Sequence, residues 1–238
     1  MKAVEVKNVS FSFGDNTILE NVSMGLEEGD FVGLVGPNGS GKTTLAKNIL
    51  GLLEPDSGSI EVYGRSPKKA QKEGLIGYVP QHYKRDHHFP ATVEELLRIS
   101  LMFDGVNQSY ELLEELGIKN HLTEKFESLS GGQQQKVVTA LSLLKDPEIL
   151  VLDEPSVGVD IKSQKAFYSY LDRIREDRGI TILMISHDIG AISRHTDEAI
   201  YLNKSVCCQA DTKELPGILE ETYGDDFRHY SHGGHDHD

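Results

Sequence analysis

The chain has 238 residues, enough for one large domain or a domain carrying a subdomain. Its 38% hydrophobic and 26% charged content is that of an ordinary globular protein, and apolar stretches such as Val137–Leu144 fall far short of the ~20 residues that span a bilayer. A net charge of −14 argues against nucleic acid as the main partner, and the segment Met1–Val6 opens no apolar secretory core, so the expected location is cytosolic.

In chain order, Val4, Val6, Val9, Phe11 and Phe13 alternate with polar neighbours and predict a half-buried strand. Asp15-Asn16 predicts a turn, and Ile18–Val22 a second strand. Phe31–Val35 is a short buried strand, followed by a glycine-rich loop and a helix from Thr44 that ends near Gly51. Ser59–Tyr63 and Ile76–Val79 are further strands. Between about 83 and 145 the spacing turns helical, with a long helix from Gly132 through Leu144 that stops before Pro147. A strand at Ile149–Leu152, a helix near Lys162–Arg178, a strand Ile180–Ile185, a helix near Ile189–Arg194 and a strand Glu198–Leu202 follow. Strands alternating with helices predict an α/β fold with a mainly parallel sheet and an inserted helical region. Residues after about 204 are acidic and carry weak structural signals; Cys207 and Cys208, adjacent in sequence, read as two reduced thiols.

The loop Gly36-Pro37-Asn38-Gly39-Ser40-Gly41-Lys42-Thr43-Thr44 has the G-x-x-x-x-G-K-[ST] pattern between a strand and a helix. Glycines there let backbone N–H groups converge, and the helix start adds positive potential, so the loop suits nucleotide phosphates. Lys42 would reach the β- and γ-phosphates, and the Thr43 hydroxyl would bind Mg²⁺. Ile149-Leu150-Val151-Leu152 delivers Asp153 and Glu154 to the carboxyl edge of the sheet, where ligands of open α/β folds bind. Asp153 would hold Mg²⁺ and Glu154 would polarise the attacking water; a strand ending at a solvated acidic turn is the simpler reading of that pair taken alone.

With Leu129-Ser130-Gly131-Gly132-Gln133 between those two motifs, the chain resembles the ATP-binding subunits of ABC transporters over about residues 2–205. Ser130, Gly131 and Gly132 open a helix, so bare N–H groups and a hydroxyl can face an anion. The resemblance implies a P-loop NTPase core, an antiparallel β subdomain and the helical subdomain near 83–145. It implies that Ser130, Gly131, Gly132 and Gln133 meet the γ-phosphate held by the other subunit of a head-to-tail homodimer. It implies Gln81 as the glutamine that senses Mg²⁺ and links to the membrane partner, His187 as the switch histidine, and Asp160 as an aspartate at the dimer interface. Phe13 stands where an aromatic stacks on adenine; a core role for Phe11 or Phe13 is the other reading. Two departures stand out: Lys136 replaces the usual Arg after the signature, and Ala140-Leu141-Ser142-Leu143 replaces Ala-Arg-Ala-Leu.

Phe89-Pro90-Ala91-Thr92-Val93, Ser156-Val157-Gly158-Val159-Asp160 and Ser186-His187-Asp188-Ile189-Gly190 resemble the ATPases of zinc and manganese importers. That narrower likeness implies import of a divalent metal, zinc in the first place and manganese, nickel or cobalt as the alternatives, with membrane permease subunits, an external metal-binding protein and a place at the cytoplasmic face of the membrane. His229, His232, His235 and His237, with Asp236 and Asp238, are either ligands for Zn²⁺, Ni²⁺ or Cu²⁺ or a solvated tail. His87 and His88 read as surface residues. An ABC ATPase outside transport and a metal-storage protein are the competing functions. The first loses ground to the absence of a second cassette, and the second leaves the catalytic set unexplained.

Overall fold

The computed structural model describes residues 1–81, 91–101, 112–156, 159–187, 189–214 and 217–218. A long hairpin of β1 (Lys2–Phe13) and β2 (Asn16–Glu27) opens the chain. It turns at Gly14-Asp15, one residue before the turn the sequence predicts, so Asn16 already pairs with Phe13. With β4 (Ser57–Val62) the hairpin forms a three-stranded antiparallel sheet in the order β2-β1-β4.

The second sheet has six strands in the order β5-β6-β7-β3-β8-β9. They are β3 (Phe31–Val35), β5 (Ile76–Val79), β6 (Ile149–Asp153), β7 (Thr181–Ile185), β8 (Glu198–Asn203) and β9 (Ser205–Asp211). All neighbours run parallel except β8 and β9. β3, β6 and β7 are buried along their whole length, which is why they read as continuous apolar runs rather than alternating ones. Leu34, Ile185 and Asp153 are paired in one row across β3, β7 and β6, so these three carboxyl ends are level.

β9 is a correction to the sequence reading, which leaves residues after about 204 without a strand. Six pairs from Glu198–Asp211 to Asn203–Ser205 zip it onto β8, and Gln209 Nε2 donates to Gly25 O of β2 at 2.8 Å. The α2 helix (Pro67–Lys72), opened by a proline in its first turn, is a second element the sequence pattern does not announce.

Two cores lie on opposite faces of the large sheet. On one face α1 (Lys42–Ile49) packs Leu45 and Ile49 with Val32, Leu34, Val151 and Leu183 against the antiparallel sheet. On the other, α4 (Gly131–Leu143), α5 (Ile161–Arg178) and α6 (Ile189–His195) cover Leu150, Leu152, Ile182 and Met184. α3 (Val93–Leu101) and a helical turn at 112–115 join this second core through Val93, Leu97, Leu112 and Leu113. Strand–helix alternation thus yields an α/β core with a mainly parallel sheet, an added antiparallel sheet and a helical insertion. His229, His232, His235 and His237 lie outside the described residues, as do His87, His88, Phe89, Pro90, Val157, Gly158 and Asp188.

Candidate nucleotide-binding site

The loop between β3 and α1 is shaped by its glycines. Gly36 has φ 153°, and a Cβ there would run into the Leu202 carbonyl oxygen of β8. Gly41 precedes α1 with φ 100°, and a Cβ there would sit 2.7 Å from Leu19 Cδ2. Only glycine fits both positions, and Gly41 as the cap has no side chain to bond the first N–H groups of α1. Lys42 Nζ donates to the carbonyl oxygens of Gly36 and Pro37 at 2.8 and 3.0 Å, which holds the ammonium over the loop. Burial pushes the Lys42 pKa down, against the pull of Glu154 and Asp153. Ser40 is 2% exposed, and its Oγ has no hydrogen-bond partner among the described residues.

Across the loop, β6 ends in Asp153, 1% exposed, whose Oδ1 accepts from the Thr43 hydroxyl at 3.4 Å. Burial first, and the neighbouring Glu154 charge second, raise the Asp153 pKa. Tyr78 on β5 has its hydroxyl pKa pushed up to about 12 by burial and by Asp153. Glu154 adopts φ 51°, an uncommon left-handed conformation for a residue with a side chain. Its N–H donates to Ile185 O at 2.9 Å, which ties the turn to the end of β7. His187, two residues past β7, brings Nδ1 to 2.8 Å from Glu154 Oε2. Among the described residues that oxygen makes no hydrogen bond, although Glu154 is 7% exposed.

Ile18, Asn38, Gly39, Ser40, Gly41, Lys42, Thr43, Thr44, Gln81 and Glu154 line a cavity of about 320 Å³. Gln81, just past the end of β5, therefore comes to the same edge as the loop, Asp153, Glu154 and His187. An uncovered helix start, a desolvated lysine and an unpartnered buried hydroxyl fit an anion such as a nucleotide phosphate. The Thr43 hydroxyl beside two buried carboxylates is a hard oxygen set that fits Mg²⁺. Ile18, which sequence reasoning did not assign to the site, supplies an apolar wall; its strand pattern carries no sign of it.

Phe13 and the signature residues stand outside this cavity. Phe13 is 57% exposed, edge-to-face on Phe11 with centroids 4.8 Å apart, while Phe11 is the buried one at 6%. The core alternative therefore belongs to Phe11, and the Phe13 face is open to solvent.

Ser130 caps α4 in a reciprocal box: Ser130 N donates to Gln133 Oε1 at 2.8 Å, and Gln133 N to Ser130 Oγ at 3.3 Å. Ser130, Gly131, Gly132 and Gln133 are not among the residues lining the cavity of their own chain. Gly132 packs so closely on α5 that a Cβ would meet Ser163 Cβ at 3.0 Å. Asp160 caps α5 by accepting from Lys162 and Ser163 N–H groups, and these bonds, with the Ser163 side chain foremost, lower its pKa. Gln164 Nε2 donates to Ser156 O and Val159 O, pinning the segment before α5. The starts of α4 and α5 therefore form one face, on which Ile161 is 73% exposed.

The raised Asp153 pKa makes a prediction. A carboxyl whose folded value lies above its unfolded one costs stability at neutral pH, and the cost is relieved as pH falls through the raised value. Asp153→Asn should therefore raise Tm by roughly 2–4 °C while abolishing Mg²⁺-dependent hydrolysis. Calorimetry of the nucleotide-free variant checks it; a Tm below that of the wild type would refute the charge argument.

Known proteins bear on this geometry. The ABC transporter family model matches residues 19–157. A probable metal transport system ATP-binding protein of Thermotoga maritima is 37% identical over 94% of this chain and 92% of its own. A zinc import ATP-binding protein, ZnuC, of Photorhabdus laumondii is 41% identical over 86% of this chain and 76% of its own. Among solved structures, a dimeric bacterial ABC transporter cassette superposes with a TM-score of 0.77 at 26% identity, covering 88% of this chain and 98% of that one. No helix among the described residues is long and apolar enough to cross a membrane. With its phosphate loop, paired carboxylates and signature helix in family order, this chain belongs to the ABC transporter family as one of its ATP-binding, ATP-hydrolysing cassettes.

Proposed function

We propose that this chain is the ATPase subunit that energises import of a divalent metal, zinc, through membrane permease subunits at the cytoplasmic face. The observation that carries the hydrolytic part is the convergence of Lys42, Thr43, Asp153, Glu154, Gln81 and His187 at one sheet edge. The metal part is supported by the 41% identity to a zinc import ATP-binding protein.

Lys42 and the loop N–H groups, with the Ser40 hydroxyl, would hold the β- and γ-phosphates of ATP; Phe13 would stack on adenine, and the backbone from Gly36 to Thr44 would wrap the chain of phosphates. Thr43, Asp153 and Gln81 would hold Mg²⁺, which neutralises phosphate charge. Glu154 orients and polarises the attacking water, and His187, beside that carboxylate, meets the γ-phosphate edge. Ser130, Gly131, Gly132 and Gln133 are absent from the cavity lining of their own chain, and this favours a homodimer in which each signature loop closes the partner's site. Asp160 and the face around it would lie at that junction. An extracytoplasmic binding protein delivers the metal. His229, His232, His235 and His237 supply enough imidazole to buffer zinc leaving the permease.

Growth of a strain lacking this gene in chelator-treated medium tests the metal. Rescue by low micromolar zinc, but not by manganese or nickel, is the expected result. Rescue by manganese or nickel alone would reassign the cargo, and indifference to every metal would remove the metal reading.

A further inference from the structure

The signature loop is held from behind by a histidine that no motif assigns. His121 ends a 3-10 turn (Lys119–His121) in the helical region. Its Nε2 lies 3.1 Å from Gln133 Nε2, and its Nδ1 lies 2.7 Å from Glu124 Oε1. These are the groups in hydrogen-bonding reach of the ring among the described residues: Glu124 from the turn that follows, and Gln133 from α4.

The orientation of the Gln133 amide is fixed by the cap. Its Oε1 accepts from Ser130 N, so its NH₂ must point at the imidazole. An NH₂ can only donate, hence Nε2 of His121 must be the bare nitrogen. The proton then sits on Nδ1, facing the Glu124 carboxylate, which can only accept. Both contacts agree on one state: neutral imidazole protonated at Nδ1. A second proton on Nε2 would set donor against donor. The amide would have to turn over, and the cap on Ser130 N would be lost.

We infer that His121 is a positioning residue for ATP hydrolysis: as the neutral Nδ1–H tautomer it holds the Gln133 amide, and through it the Ser130–Gly132 backbone, in the shape that faces phosphate. This rests on the proposed role of the signature loop in the partner's site.

Two measurements test it on the full chain. Nitrogen-15 imidazole spectra at pH 8 should show His121 as the Nδ1–H tautomer, identified by the loss of its signals in His121→Gln. An Nε2–H or doubly protonated ring overturns the inference, whatever the protein hydrolyses. ATPase rates supply the functional readout. Gln at this position can place an acceptor where Nε2 stands, whereas Leu cannot. His121→Gln should retain activity within about twofold. His121→Leu should lose about fivefold, the factor carried by one ordinary hydrogen bond. Equal rates for Leu and wild type, or a loss in Gln as large as in Leu, would overturn the positioning role. Should the wild type hydrolyse no ATP, the proposed function fails, and the tautomer still decides the geometry around Gln133.

Discussion

Glu154→Gln is expected to lower ATP hydrolysis by at least about a hundredfold while leaving ATP affinity within a few-fold. The substitution preserves shape and the backbone bond to Ile185 O, so the left-handed turn survives. What disappears is the charge that, in the proposed mechanism, polarises water and that His187 Nδ1 faces at 2.8 Å. Lys42 and the loop, which would carry the binding energy, are untouched. Phosphate-release kinetics paired with a fluorescent-nucleotide titration separates the two effects. Activity above about a tenth of wild type would show that another group activates the water, and a parallel collapse of affinity would place Glu154 in binding.

Gly36→Ala should cost about 2–4 kcal/mol and lower Tm by roughly 5–15 °C, with at least tenfold weaker ATP binding. Two penalties combine there. The backbone φ of 153° disfavours any side chain, and the new methyl would press on the Leu202 carbonyl and stand 2.9 Å from Ser40 Oγ. Leu202 lies in β8, whose ladder with β3 runs to the pair Val35–Tyr201 just before the loop, so neither backbone can give way without breaking pairing. Gly39→Ala is the control. Its φ of 81° is also left-handed, but nothing lies within 4 Å of the added methyl. It should carry only the backbone strain, about 1 kcal/mol. Equal losses for the two variants would show that the collision with Leu202 is relieved and that conformational strain accounts for both.

Much of the site was legible because each motif needs its own backbone. A G-x-x-x-x-G-K-[ST] loop demands a strand before and a helix after, and the apolar run before Asp153 could only be a buried strand. Once both are fixed, the parallel sheet brings them together. Ser130 was readable as a helix cap. What escaped the sequence depends on partners far along the chain. β9 contains Gln209 and two cysteines and shows no clean alternation; it is a strand because β8 offers an unpaired edge. Phe11 and Phe13 have the same period, and only the packing decides that Phe11 is buried and Phe13 open. The left-handed φ of Glu154 leaves no compositional mark, since glycine or asparagine would be the residue expected there. The tie between His121 and Gln133 joins residues of unrelated local patterns.

The strand order has a mechanical consequence. β6, β7 and β3, which end in Asp153, in the approach to His187 and in the phosphate loop, each have hydrogen-bonded neighbours on both sides. Their ends are braced like planks in the middle of a floor. β5, which leads to Gln81, is the outermost board, nailed along one side only and four residues long. By strand pairing, the Gln81 end is less braced than the ends of β6, β7 and β3.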